Sequence, residues 1–163
     1  MKKLCLLLCC TILLSLFCAC SAKNEDFQQP VNFYYSNVEI GYNSPTAVIK
    51  PEIREGAFYN DNVEQLLEDY LAGPREQGLH CAVPDGTKLI HCNNEECVVH
   101  IMFSEEFAEL SGIELSVCCS CILRTLHEYA DIHTVHISAM NAQLDDELEF
   151  VLNIDDIVLM DSV

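Results

Sequence analysis

Eleven cysteines and six histidines carry most of the chemistry open to this chain of 163 residues. Cys92 and Cys97 stand close together, Cys118-Cys119-Ser120-Cys121 is a tight cluster, and His80, His91, His100 and His127 lie among them in sequence. Thiolate and imidazole are zinc ligands, but this spacing is that of neither a zinc finger nor a zinc ribbon, so no metal and no cofactor is expected. A disulfide joining Cys92 to Cys97 across a hairpin is one alternative for that pair, and packing as small apolar side chains is the other. The N-terminal segment bears on this choice. Cys5, Cys9, Cys10 and Cys18 stand there in an apolar run where they have no evident task, so this chain uses cysteine as a generic small hydrophobe. Cys81 beside His80 has the residue types of a nucleophile and its base, without a third group to orient the histidine.

The remaining catalytic signatures are missing from the sequence. It holds no Gly-x-Gly-x-x-Gly, no Walker-type Gly-Lys-Ser/Thr, no Gly-x-Ser-x-Gly and no His-Glu-x-x-His. With 26 acidic residues, neighbours such as Glu105 and Glu106 or Asp145 and Asp146 arise from composition alone, and a solvated acidic face explains them better than an acid/base pair. The chain is therefore expected not to be an enzyme.

One cysteine has a covalent role of its own. Lys2 and Lys3 form a positive start, the run from Leu4 to Ala19 is apolar, and Phe17-Cys18-Ala19-Cys20 places a small residue directly before a cysteine. At about 16 residues the run is shorter than the roughly 20 that a permanent span requires. The segment resembles the bacterial lipobox, which implies residues 1–19 as a cleaved lipoprotein signal peptide and Cys20 as the lipidated (palmitate-bearing) residue, anchoring the protein on the extracytoplasmic face of the cell membrane. Residues 20–30 are polar, end in Pro30 and read as a flexible linker.

Charge narrows the partners. The formal net charge is −18, and loss of Lys2 and Lys3 with the signal makes it two units more negative. Such a surface repels phosphate, so nucleic-acid binding is excluded and membrane contact is expected through the lipid anchor alone. Residues 31–163 are enough for one domain and too few for two ordinary ones.

The elements that position these residues follow from periodicity. Val31, Phe33 and Tyr35 alternate with polar neighbours as a strand, and Thr46 to Ile53 follows the Asn43-Ser44-Pro45 turn as another. Asn60 or Asp61 caps a helix carrying Val63, Leu66, Leu67, Tyr70 and Leu71 at helical spacing, stopped by Gly73-Pro74. Arg75 to Gly86 is rich in turn residues. A hairpin of Thr87–Cys92 and Cys97–Phe103 around the loop 93–96 follows, with Cys92 opposite Cys97 and Ile90 opposite Val99. After a short helix near Phe107, Ile113–Tyr129 forms a longer one, and Ile132–Ala139 and Leu148–Ile154 return as strands. The fold class is α+β, a two-layer sandwich of a mixed or antiparallel sheet of about five to six strands on two main helices.

The order of these pieces resembles the GerMN domain of sporulation and germination lipoproteins. The likeness rests on Phe33-Tyr34, Arg54, Tyr70-Leu71-Ala72-Gly73-Pro74, Val83-Pro84-Asp85-Gly86-Thr87, Val99 through Phe107, and Leu126 through Ile137. It implies a fold similar to ring-building motifs, a place in cell-envelope or sporulation assemblies, protein partners of that kind or further copies of the chain, and no catalytic residues.

In that hairpin Ile90, Cys92, Cys97, Val99, Ile101 and Phe103 are expected to face the core, so Leu89, His91, Val98, His100 and Met102 face away. Either a helix covers this second face, which is the expectation, or it is an interaction face. The exposed edge of Val31–Ser36 offers a second route, by strand pairing. A different class of function, solute or glycan binding, requires a pocket lined by aromatics such as Phe33, Tyr34, Tyr35 and Tyr42.

Overall fold

The computed structural model describes residues 30–37, 48–55, 59, 62–141 and 146–157, without the side chains of 141–148. The expected signal segment, Cys20, the expected linker up to residue 29, the expected Asn43-Ser44-Pro45 turn, Tyr42, Asn60 and Asp61 lie outside the described residues. The elements run β1 (Val31–Ser36), β2 (Ile49–Arg54), α1 (Val63–Leu71), β3 (Leu89–Glu95), β4 (Val98–Phe103), a 3₁₀ turn at Glu105–Glu109, α2 (Gly112–Ala130), β5 (Thr134–Asn141), β6 (Asp146–Asn153) and a second 3₁₀ turn at Ile154–Asp156. Among the described residues no helix is long and apolar enough to cross a membrane.

Helix α1 forms where the apolar spacing places it. Asn62 caps it, its side chain accepting from the Gln65 N–H at 3.1 Å. Val63, Leu66, Leu67 and Tyr70 make the buried stripe. Gly73 ends it at φ +86°, a left-handed conformation open to glycine, and its N–H returns to the Tyr70 carbonyl at 3.0 Å.

Helix α2 buries Cys118, Cys119, Cys121, Ile122, Leu123, Thr125 and Leu126, an arc of roughly 200° at 100° per residue. So wide an arc requires cover on more than one side. One side meets the four-stranded sheet and the other lies along β1.

The α+β class, six strands and two main helices agree with the sequence, and the strands divide between two sheets. β1 and β2 pair antiparallel, and the other four take the order β3-β4-β5-β6. β4 and β5 are parallel because α2 carries the chain back across the sheet, whereas β3–β4 and β5–β6 are antiparallel. Val99, Ile101, Phe103, Val135, Ile137 and Ala139 point from this sheet into the core with Phe107.

The outer edge of β1 is not open to a partner strand as expected. The Thr125 hydroxyl accepts from the Tyr34 N–H at 2.9 Å and donates to the Cys121 carbonyl at 2.8 Å. Further along the same edge, Ser36 and His80 exchange backbone hydrogen bonds of 3.0 and 2.7 Å.

A buried charge cluster fastens β2 to the end of α1. Arg54 is 3% exposed and Glu52 4%. The guanidinium pairs with Glu52 at 2.7 Å and Asp69 at 2.9 Å, and donates to the Gly73 carbonyl and the Tyr35 hydroxyl, each at 2.9 Å. It also lies 4.0 Å from the Phe33 ring centroid. Burial raises the Glu52 pKa, but donors from the Glu76 N–H, Arg54 and the Arg75 N–H outweigh it and leave the carboxyl below its ordinary value. Asp69 is likewise lowered, burial being outweighed by the Tyr59 hydroxyl, Arg54 and Arg75.

Candidate interaction face

The outer face of the four-stranded sheet is a grid set by register. One row reads Glu95, Val98, Thr134, Asn153; the next Asn93, His100, His136, Val151; the third His91, Met102, Ser138, Glu149. At its centre the His100 and His136 rings lie 4.4 Å apart at 31°. His136 Nδ1 is 3.0 Å from a Glu149 carboxylate oxygen. Val98 and Met102 flank His100 on its own strand and are half-buried, while Val151 at the end of the row is 60% exposed. This face has no helical cover among the described residues, so the expectation of a covered face is corrected. The helix between β4 and β5 packs on the opposite side, where the β-branched and aromatic positions are buried.

Four of the five residues expected on this face, His91, Val98, His100 and Met102, are there. Leu89 is not. A bulge between Leu89 and His91 shifts the register, so Leu89 pairs with Phe103 on the core side and Ile90 turns outward at 58% exposure. His136 and Val151, which sequence reasoning missed, join the grid through the parallel β4–β5 pairing.

The hairpin register also corrects the cysteine pair. β3 continues through Asn93, Asn94 and Glu95, and the turn is the pair Glu96-Cys97, with Glu96 at φ +58°, so Cys97 is exposed in the turn and does not face the core as expected. Cys92 is opposite Ile101, and its partner position is about 13 Å along β4 from Cys97 at the usual strand rise, beyond the roughly 7 Å a disulfide spans. Cys81, Cys92, Cys97, Cys118, Cys119 and Cys121 are all free. Burial pushes the Cys92 thiol up to about 11 and Cys119 and Cys121 up to about 12, so these groups are neutral packing atoms at physiological pH. The Cys81 thiol is also raised, by burial first, although the Val83 N–H lowers it, and the neighbouring His80 is exposed to solvent.

A cleft of about 380 Å³ runs between Leu71-Ala72-Gly73-Pro74 and the segment from Leu79 to Thr87. His80, Cys81, Asp85 and Thr87 supply its polar side chains, and no Phe or Tyr lines it. The aromatics that a sugar-binding pocket would present are inside instead: Phe33, Tyr35 and Tyr70 are fully buried, with the Tyr35 and Tyr70 rings stacked at 4.9 Å. Among the described residues, His127, Asp131 and His133 bring one possible ligand atom each to within 4.8 Å of one another. The His-x₃-Asp-x-His spacing was the available signal for them, masked in sequence by the end of α2 falling between its members.

The model of the family Germane, described as sporulation and spore germination, matches residues 32–145. The first GerMN domain of the sporulation protein GerM from Bacillus subtilis aligns with 68% of this chain and 82% of its own, at 16% identity and a TM-score of 0.53. The tandem GerMN domains of the same protein align with 83% of this chain at 16% identity and a TM-score of 0.54. This chain spans 49% of that tandem chain. No curated protein matches the sequence. At these identities the solved structures speak to the fold.

Proposed function

The chain belongs to the Germane family of sporulation and spore germination, and we propose that it is a lipid-anchored, non-enzymatic assembly domain on the extracytoplasmic face of the cell membrane, joining envelope or sporulation proteins or further copies of itself. Cys20 is the anchor in this reading. The observation that carries the assembly role is the uncovered sheet face, whose adjoining His100 and His136 rings are flanked by Val98, Met102 and Val151 and rimmed by Glu95, Asn93, His91 and Glu149. An apolar and aromatic centre within a polar rim is the anatomy of a reversible protein interface. The polar rim also keeps the face compatible with water when unoccupied.

The test compares the chain from Ser21 with its Val98→Lys/Met102→Lys variant. Light scattering, with and without envelope extract of the source organism, reads self-association or retention of one envelope protein. The wild type is expected to associate and the double variant to lose that association while keeping its denaturation midpoint. A wild type that stays monomeric and retains nothing, or a variant that associates equally well, overturns the reading. Anchoring is checked separately: labelled palmitate enters the full chain and is absent from Cys20→Ser.

A further inference from the structure

We propose that His127, Asp131 and His133 form a binding site for a divalent transition-metal cation of the zinc type. The three residues come from the end of α2 and the segment leading into β5, and one ligand atom from each lies within 4.8 Å of the others. The His127 and His133 rings meet edge to face at 5.1 Å, and His133 Nε2 is 3.9 Å from Asp131 Oδ1.

The surroundings of His127 supply an independent argument. Its Nδ1 is 3.0 Å from the Ile132 carbonyl, an acceptor, so Nδ1 carries a proton and Nε2 is the nitrogen whose lone pair a metal ion would take. A backbone carbonyl that fixes one ring nitrogen as donor and leaves the other free is the arrangement found behind metal-bound histidines. Asp131 is held by the backbone as well. It caps α2 in the left-handed conformation, φ 54°, and its N–H returns to the His127 carbonyl at 2.8 Å, which brings residues 127, 131 and 133 to one corner of the fold. His133 is fixed from the other side, its N–H donating to the Cys97 carbonyl at 3.0 Å and its own carbonyl accepting from the Ile154 N–H at 2.9 Å.

Ligand chemistry selects the cation. Two imidazoles and one carboxylate suit zinc and its neighbours, and are too rich in nitrogen for calcium or magnesium. Zinc bonds of about 2.0–2.2 Å draw ligand atoms closer than the present spacing. The side chains of Asp131 and His133, 80% and 45% exposed, have room to close by rotation. Electrostatics favours the ion twice, since the site lies at the carbonyl end of a helix and on a chain of net charge −18. Three protein ligands leave a coordination position for water or for a donor group of a partner molecule.

Zinc chloride titrated into the full chain in detergent, followed by calorimetry, tests the site, with cobalt(II) as the spectroscopic probe. The expected result is one equivalent bound by the wild type that His133→Gln and Asp131→Asn each weaken at least tenfold, while His80→Gln, exposed and away from the site, leaves it unchanged. Asparagine tolerates the left-handed cap, and His133→Gln leaves the His127 to Ile132 bond in place, so both variants keep the metal-free fold. The cobalt absorption lost in His133→Gln is expected to be ligand-field bands without thiolate charge transfer. Unchanged zinc affinity in His133→Gln overturns the proposal, as does a lost cobalt component that carries thiolate bands, which would assign the ion to cysteine.

Discussion

Arg54→Met removes the centre of the buried charge cluster while keeping most of the side chain's apolar stem. Breaking a buried ion pair by deleting one partner costs about 3–5 kcal/mol, because the remaining charge is left in a medium that solvates it poorly. Here Glu52 retains the Arg75 and Glu76 N–H donors at 2.6 and 2.7 Å. Asp69, with a side chain 27% exposed, keeps Tyr59 and Arg75 and is partly screened by water. The lower end, about 3 kcal/mol, is therefore expected, against a total of roughly 5–15 kcal/mol for a domain. Urea denaturation of the chain from Ser21, followed by far-UV circular dichroism at pH 7, measures it. Adding Glu52→Gln to Arg54→Met should restore part of the loss by removing the stranded charge. The pH dependence supplies a second reading. Glu52 and Asp69 have lowered pKa values when folded, so their stabilisation is complete above the unfolded carboxylate values of about 3.9–4.3 and is lost as pH falls through the folded ones. Arg54→Met should flatten that acid slope. A loss under about 1 kcal/mol at pH 7, with the slope unchanged, would refute the assignment of this cluster as the clamp on α1, since breaking such a pair is costly wherever it is truly buried.

Gly73→Ala should cost about 1–2 kcal/mol by the same assay, all of it from the backbone, because φ is +86° and no atom lies within 4 Å of the added methyl position. In the chain from Ser21, a thiol reagent under native conditions should modify Cys97 first, and Cys118, Cys119 and Cys121 only as fast as the domain opens, which mass spectrometry of the labelled peptides resolves. Thr125→Val keeps the shape of the side chain but strands the Tyr34 N–H, and should cost about 1–3 kcal/mol, read as a shift in the urea midpoint.

Periodicity made α1 and the buried arc of α2 legible, as well as the inward alternation of Val99, Ile101 and Phe103. It failed in β3 for two physical reasons. Asn93 and Asn94 are turn-forming types, yet at the edge of a sheet, and exposed, they and Glu95 extend the strand to a two-residue turn that carries no Asn-Gly or Asp-Gly signal. The bulge at Ile90 then reversed the alternation for Leu89, an inversion that side-chain type does not announce. Arg54 and Glu52 were illegible as interior residues because charges ordinarily mark solvent, and only their mutual pairing permits burial. The partnership of His100 with His136 depends on a parallel pairing across a helix, which local patterning does not encode.

The hydrogen bond from Tyr34 to Thr125 joins positions 91 residues apart, and the Tyr34 stretch of the β1 edge is sealed only when that hydroxyl arrives. A chain synthesised from its N-terminus, or threaded across a membrane in that order, therefore leaves this stretch of β1, with the Tyr34 ring that Arg124 and Glu128 of α2 contact, exposed until most of the domain has emerged. Contacts of such separation in sequence form late and slowly. The first part of the domain to appear is thus among the last to be protected, and its exposure to proteases and to other nascent chains is set by the time needed to deliver α2.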